Sequence, residues 1–143
     1  MNNILIVGCG LIGSSILRAA QNKKIAKKIF ILEKSKNNIS KIKKLKIKFK
    51  IITDFKNEIP KMDMIIFCTH LNNYETVLKK INKFLNKKVI ITDVGSTKNE
   101  ILKKIKKKLK KGVSWTSSHP IAGSEVSGPE FGDASLFKNK WCV

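Results

Sequence analysis

A chain of 143 residues with a formal charge of +20, from 30 basic against 10 acidic residues, suits one domain, since a domain of this length buries roughly two thirds of its unfolded surface. No apolar run approaches the roughly 18 residues of a membrane-crossing helix, and the start MNNILIVGCG runs into glycines without a basic head or cleavage site, so the expected location is cytoplasmic. Every basic residue except Arg18 is lysine, and one Tyr and two Trp offer few stacking platforms, so the expected partner is a small molecule, with neither a specific nucleic acid nor a membrane.

Residues 3–8, NILIVG, form a branched apolar run ending in glycine, the pattern of a buried parallel strand. Residues 11–23 then take up helical spacing. A strand at 28–33 ends on Glu33, and 39–46 reads as a short amphipathic helix carrying Ile39, Ile42 and Leu45. A strand at 48–53 precedes 63–69, which is too apolar for a sheet with a wet face and reads as a central strand. Asn72 with Glu75 has the spacing of an N-cap pair opening a helix to about residue 86, whose inner face holds Val77, Leu78, Ile81 and Leu85. After a strand at 88–93, Thr97 with Glu100 suggests a capping box for a helix striped by Ile101, Leu102, Ile105 and Leu109. The lysine-rich stretch 101–111 reads either as the solvated face of a crossover helix or as a basic amphipathic segment for anionic surfaces. A strand at 112–117 is followed by the loop SHPIAGSEVSG and by 138–143, which looks like a further strand cut short. The alternation predicts a Rossmann-type, doubly wound, mostly parallel sheet with helices on both faces, in one domain over 1–143.

The first strand leads into GCGLIG, so Gly8, Gly10 and Gly13 occupy the GxGxxG positions, with Leu11 and Ile12 opening the helix. Glycines there permit a tight turn, backbone approach to a pyrophosphate and close helix–strand packing, while the helix N-terminus offers free N–H donors. Glu33, 20 residues beyond Gly13, is the acidic group expected to accept from a ribose hydroxyl. Its charge repels a 2′-phosphate and favours NAD, while Lys34 and Lys36 leave NADP open.

Ligands of a doubly wound sheet bind beyond the carboxyl ends of its strands, which puts Thr69, Asp93, Ser96 and His119 near a cofactor. An imidazole, with an ordinary pKa of about 6.5, is a natural proton acceptor when a hydroxyl-bearing carbon loses hydride. Read from spacing alone, His119 is either that base or a strand-end residue held extended by Pro120 with its ring on a backbone group. His70 reads as a loop group near the cofactor. Neither histidine belongs to a cluster with metal-ligand spacing, so no metal is expected. Cys9, Cys68 and Cys142 form no CxxC pair and read as reduced thiols, with a thiol beside the cofactor as the alternative.

GCGLIGSS, DVGSTK at 93–98 and HPIAGSEVSGPE at 119–130, followed by Leu136 and Phe137, together resemble the nucleotide-binding domain of the prephenate dehydrogenase family, which includes arogenate and cyclohexadienyl dehydrogenases. The resemblance implies NAD(P)-dependent oxidative decarboxylation of prephenate to 4-hydroxyphenylpyruvate. It implies that His119 takes the ring hydroxyl proton, that Ser96 orients that hydroxyl, and that Gly123, Ser124 and Glu125 shape the loop at the substrate, with Glu125 tuning the histidine. It further implies a helical, dimerising C-terminal domain that this chain does not reach, and therefore cofactor binding with little turnover by the chain alone.

Overall fold

The branched runs become six strands, β1 (Asn3–Val7), β2 (Lys28–Leu32), β3 (Lys50–Ile51), β4 (Met64–Phe67), β5 (Ile90–Asp93) and β6 (Ser114–Thr116). They appear in a computed structural model that describes Met1–Val143. All neighbours are parallel, in the order β3-β2-β1-β4-β5-β6. Register aligns Val7 with Leu32 on one side and Phe67 on the other, and Phe67 with Asp93. The ends of four central strands therefore form one rim. Strand order reverses between β1 and β4, and the crevice opens at that switch point.

Five helices connect the strands: α1 (Leu11–Asn22), α2 (Lys36–Lys43), α3 (Phe55–Glu58), α4 (Tyr74–Ile81) and α5 (Asn99–Lys108). Because side chains alternate along a strand, Ile4 and Ile6 pack with Leu17, Ala20 and Ile42 on one face of the sheet. Leu5 and Val7 join Leu78, Ile81, Leu102 and Ile105 on the other. Both faces are covered, which explains why the strands read as continuous apolar runs. The α5 lysines at 103, 104, 106, 107 and 108 are exposed, so the helix presents its charge to solvent and its stripe to the sheet.

Several local expectations are corrected. Helix α2 starts three residues before 39, because the Ser35 hydroxyl accepts the Asn38 N–H and caps it. The strand expected over 48–53 keeps two residues at the sheet edge, where only β2 is available to pair. Asn72 caps nothing: a 3-10 turn at Leu71–Asn73 precedes α4, and Glu75 pairs with Lys79 and Lys108. Thr97 likewise does not cap α5, whose N-cap is Lys98 without a side-chain cap bond, while Glu100 pairs with Lys103. The segment 138–143 adds no strand to the sheet. It returns antiparallel against the His119 loop, through a Pro120–Cys142 bridge and a 2.8 Å bond from the Ile121 N–H to the Trp141 carbonyl. No crossover helix lies between it and β6, and a parallel strand requires one.

Phe67, fully buried at the end of β4, packs edge-on against Tyr74 with ring centroids 5.2 Å apart and against Trp115 at 4.7 Å. Phe67→Ala should lower the unfolding free energy by about 3–5 kcal/mol, read from urea denaturation; a loss below about 1 kcal/mol would mean that the aromatic trio does not brace the rim.

Candidate active site

A groove of about 1050 Å³ crosses the rim at the switch point, walled by the glycine turn, the start of α1, the end of β2, residues 68–73 and 94–96, and residues 126–128. Gly8 holds a left-handed φ of +84°, and a Cβ there would press on Thr69; one at Gly13 would strike the Gly8 carbonyl. Both positions are closed to side chains. Around Gly10 a Cβ would meet nothing within 4 Å, and this is the point where the groove comes closest to bare backbone. Gly10 caps α1 without a side-chain hydrogen bond, and the first turn contains no acidic residue. The N–H groups of Leu11 and Ile12 have no partner inside the helix, so the turn presents unspent donors and positive dipole to an anion. Beside it the Thr69 hydroxyl is buried in the wall with no hydrogen-bond partner. These features fit a dinucleotide.

Glu33, one residue past β2, is half-buried in the wall. Its carboxylate accepts from the Cys9 N–H at 2.9 Å, the Ser35 N–H at 2.8 Å and the Asn38 side chain at 3.4 Å. The Cys9 N–H thus ties the glycine turn to the acidic group expected at a ribose, and two donors from the start of α2 steady it. Lys34 also lines the groove and reaches Asn73 at 3.5 Å, whereas Lys36 lies outside it. Lys41 and Lys80 line it too, unmarked by any motif. Burial, reinforced by Glu33 and opposed by Arg18, pushes the Cys9 thiol up to about 12, and burial likewise raises Cys68. Neither thiol is a nucleophile at neutral pH.

Ser96 and His70 are in the groove wall, on the loops after β5 and β4. Asp93 departs from expectation. Its carboxylate is fully buried behind the wall, accepting from Lys98 Nζ at 2.8 Å, the Gly95 N–H at 3.0 Å and Trp115 Nε1 at 3.1 Å. Tyr74 adds a longer contact of 3.4 Å, and burial together with the Asp93 charge raises its phenol, which keeps it a donor. Asp93 is an organiser of the rim, not a cofactor contact. Gly95 sits close to the same cluster, since a Cβ there would press on the side chains of Leu71, Asp93 and Tyr74. Removing one partner of such a buried pair costs about 3–5 kcal/mol, because the other charge stays desolvated.

His119 follows β6 by three residues and is half-buried, outside the groove lining. Its neighbour Ser118 donates to the Asp93 carbonyl at 2.5 Å and accepts from Thr92 at 3.2 Å. Gly123, Ser124 and Glu125 are exposed and also outside the lining; the residues of this segment that reach the groove are Val126, Ser127 and Gly128. The chain is then fastened across α1. Arg18 donates to the Pro129 carbonyl at 3.0 Å, Ser15 accepts the Asp133 N–H at 2.9 Å, and Lys41 pairs with Glu130 at 2.5 Å. Arg18, the one arginine, is thus a clamp between segments. Sequence reasoning also missed Lys98 and Trp115. The available signal was a lysine inside the quoted DVGSTK stretch and a Trp on the strand expected beside it.

A family model described as prephenate dehydrogenase, nucleotide-binding domain, matches residues 16–143. The chain belongs to the prephenate dehydrogenase family. It is 37% identical over 150 aligned residues to a prephenate dehydrogenase of Lactococcus lactis subsp. cremoris, covering 100% of this chain and 40% of the relative. It is 30% identical over 137 residues to a cyclohexadienyl dehydrogenase of Zymomonas mobilis, covering 96% of this chain and 46% of the relative. A crystal structure of prephenate dehydrogenase from A. aeolicus, in complex with hydroxyphenyl propionate and NAD+, superposes with a TM-score of 0.87 at 29% identity, over 99% of this chain and 49% of that one. The chain therefore spans about half or less of these relatives' length. No helix is long and apolar enough to cross a membrane.

Two glycines of the family's nucleotide turn should separate binding from folding. Gly10→Ala should leave thermal stability within roughly 1 kcal/mol of the parent while lowering dinucleotide affinity at least about tenfold by calorimetry, because its methyl meets no protein atom and occupies the approach to the backbone. Gly13→Ala should instead lower the melting temperature, through the collision with Gly8.

Proposed function

We propose that the chain binds NAD in this groove and forms the hydride-accepting half of an enzyme that converts prephenate to 4-hydroxyphenylpyruvate and CO2. The observation that carries the reading is the open approach at Gly10 set between unspent helix donors and the three-donor carboxylate of Glu33. Gly8, Gly10 and the N–H groups of Leu11 and Ile12 hold the pyrophosphate, Glu33 accepts from the adenosine ribose, and Thr69 supplies a hydroxyl at the wall. Bound NAD supplies an acceptor for the hydride that leaves the ring carbon.

The chain's own residues then manage the proton. His119 takes the hydroxyl proton as that carbon becomes a carbonyl-level centre, Ser96 orients the hydroxyl from the neighbouring loop, and Glu125 tunes the imidazole. Gly123 and Ser124 leave room for the substrate. Loss of the ring carboxylate as CO2 leaves its bonding pair in the ring, which becomes aromatic and draws the step forward, and the resulting phenolate oxygen takes back the proton held by His119. Support for placing this pair together comes from the adjacency of β5 and β6 and from the anchoring of Ser118 to the Asp93 backbone. The substrate's two carboxylates call for cationic partners, yet Arg18 is committed to Pro129, Lys41 to Glu130 and Lys98 to Asp93. Lys34 and Lys80 remain in the groove lining as point charges on flexible stems, poor substitutes for a preorganised guanidinium fork, so the chain alone turns over slowly. The location of His119 outside the groove lining favours a second reading, a nucleotide-binding module without catalysis.

A chimera carrying residues 1–143 in place of the corresponding domain of the Lactococcus lactis relative should oxidise prephenate, and His119→Asn should cut its kcat by about 100-fold or more while leaving NAD affinity within about twofold. A chimera that binds NAD but does not oxidise prephenate would favour the non-catalytic reading, and equal turnover in the two would remove His119 as the base. In parallel titrations the chain should prefer NAD over NADP, and Glu33→Ala should erode that preference by roughly tenfold, a change of about 1.4 kcal/mol. An unaltered preference would remove Glu33 from cofactor selection.

A further inference from the structure

We infer that Lys98 is a positioning residue for the His119 base, a role that rests on the dehydrogenase reading above. Its ammonium is buried, with 7% of the residue exposed, and it makes two contacts. One is to Asp93 Oδ2 at 2.8 Å, and the other is to the Ser118 carbonyl. That carbonyl belongs to the peptide unit joining Ser118 to His119. The N–H of the same unit donates to the Val143 carbonyl at 2.6 Å, and the Val143 N–H returns a bond to the His119 carbonyl at 3.0 Å. The peptide plane that carries His119 is therefore gripped at its oxygen by Lys98 and at its nitrogen by the returning chain. With that plane held, and the plane after His119 held through its carbonyl by the Val143 N–H, the backbone on both sides of the His119 Cα is restrained, which sets the direction in which the side chain leaves it.

Lys98 also sits two residues beyond Ser96, at the N-cap of α5. The same side chain thus cross-links the loop that puts Ser96 in the groove to the peptide that carries His119. Asp93 completes the cross-link by holding the Gly95 N–H at 3.0 Å and the Trp115 indole at 3.1 Å. Stability alone does not account for a buried ammonium in this position, since apolar residues of similar volume commonly do as well. What an apolar residue cannot supply is a donor to the Ser118 carbonyl. Neither Glu33 nor the glycine turn hydrogen-bonds to this cluster, so cofactor binding and base positioning are separable.

Lys98→Met alone strands the Asp93 charge, so the informative variant is Asp93→Asn with Lys98→Met, which removes both charges together. In the chain itself, backbone amide exchange at His119 should rise at least about tenfold. The His119 side-chain couplings should pass from one rotamer to an average; the chain has 2 histidines, and His70→Gln assigns the signals. NAD affinity and the exchange of the Leu5 and Val7 amides should stay within about twofold of the parent. Unchanged His119 exchange and couplings would overturn the inference, as would a parallel loss of NAD affinity and β1 protection, which would mark a general structural role. Should the double variant fail to fold, the parent protein still decides: the Lys98 ammonium protons should exchange slowly and show contacts to the Ser118 Hα and His119 N–H, and their absence would refute it. Failure of the dehydrogenase reading is seen separately, as absence of prephenate turnover in the chimera.

Discussion

A carboxylate withdrawn completely from water must find donors inside the protein, and the way Asp93 finds them organises the rim of the sheet. Its donors come from β6 through Trp115, from the loop after β5 through Gly95, from the start of α5 through Lys98 and from α4 through Tyr74. Desolvation makes each bond expensive to lose, so the elements cannot drift independently. Phe67, Tyr74 and Trp115, buried and in mutual edge-on and tilted ring contact, pack in the same cluster and help keep water from the carboxylate. The Ser96 loop and the backbone before His119 inherit their positions from this cluster.

The groove itself divides into two chemically different halves. On the β1–β2 side, recognition is nearly all backbone: bare glycines, helix N–H groups and a carboxylate steadied by three donors. On the β5–β6 side it depends on side chains carried by loops, and those loops are held by the buried cluster and by the returning chain. Residues 126–128 wall the groove, and the chain just beyond them is clamped by Arg18, Ser15 and Lys41. The large positive charge is compatible with this arrangement because the lysines of α5 face solvent, while Lys41 and Lys98 are neutralised by local partners.

How much was legible in the sequence follows from the range of the interactions involved. The succession of strands and crossover helices and the glycine turn rest on short-range periodicity and on φ and space requirements that neighbouring residues reveal, and most of them agree with the structure to within a few residues. The N-caps at Asn72 and Thr97 were misread because capping spacing is a local signal that tertiary partners overrode: Glu75 turned to Lys108, and Lys98 turned inward to Asp93. The final segment was misread because its apolar run does not say which neighbour it will pair with.

The sequence by itself determined the doubly wound class, the groove at the glycine turn and the family, since each depends on residues close together along the chain or on one distinctive motif order. Tertiary structure alone decided that Asp93 would lie behind the site instead of in it, that Lys98 would bridge two loops, and that Arg18 would clamp residue 129. Those outcomes depend on which distant groups share a buried volume, and burial converts an ordinary charge into a constraint only once the partners have met.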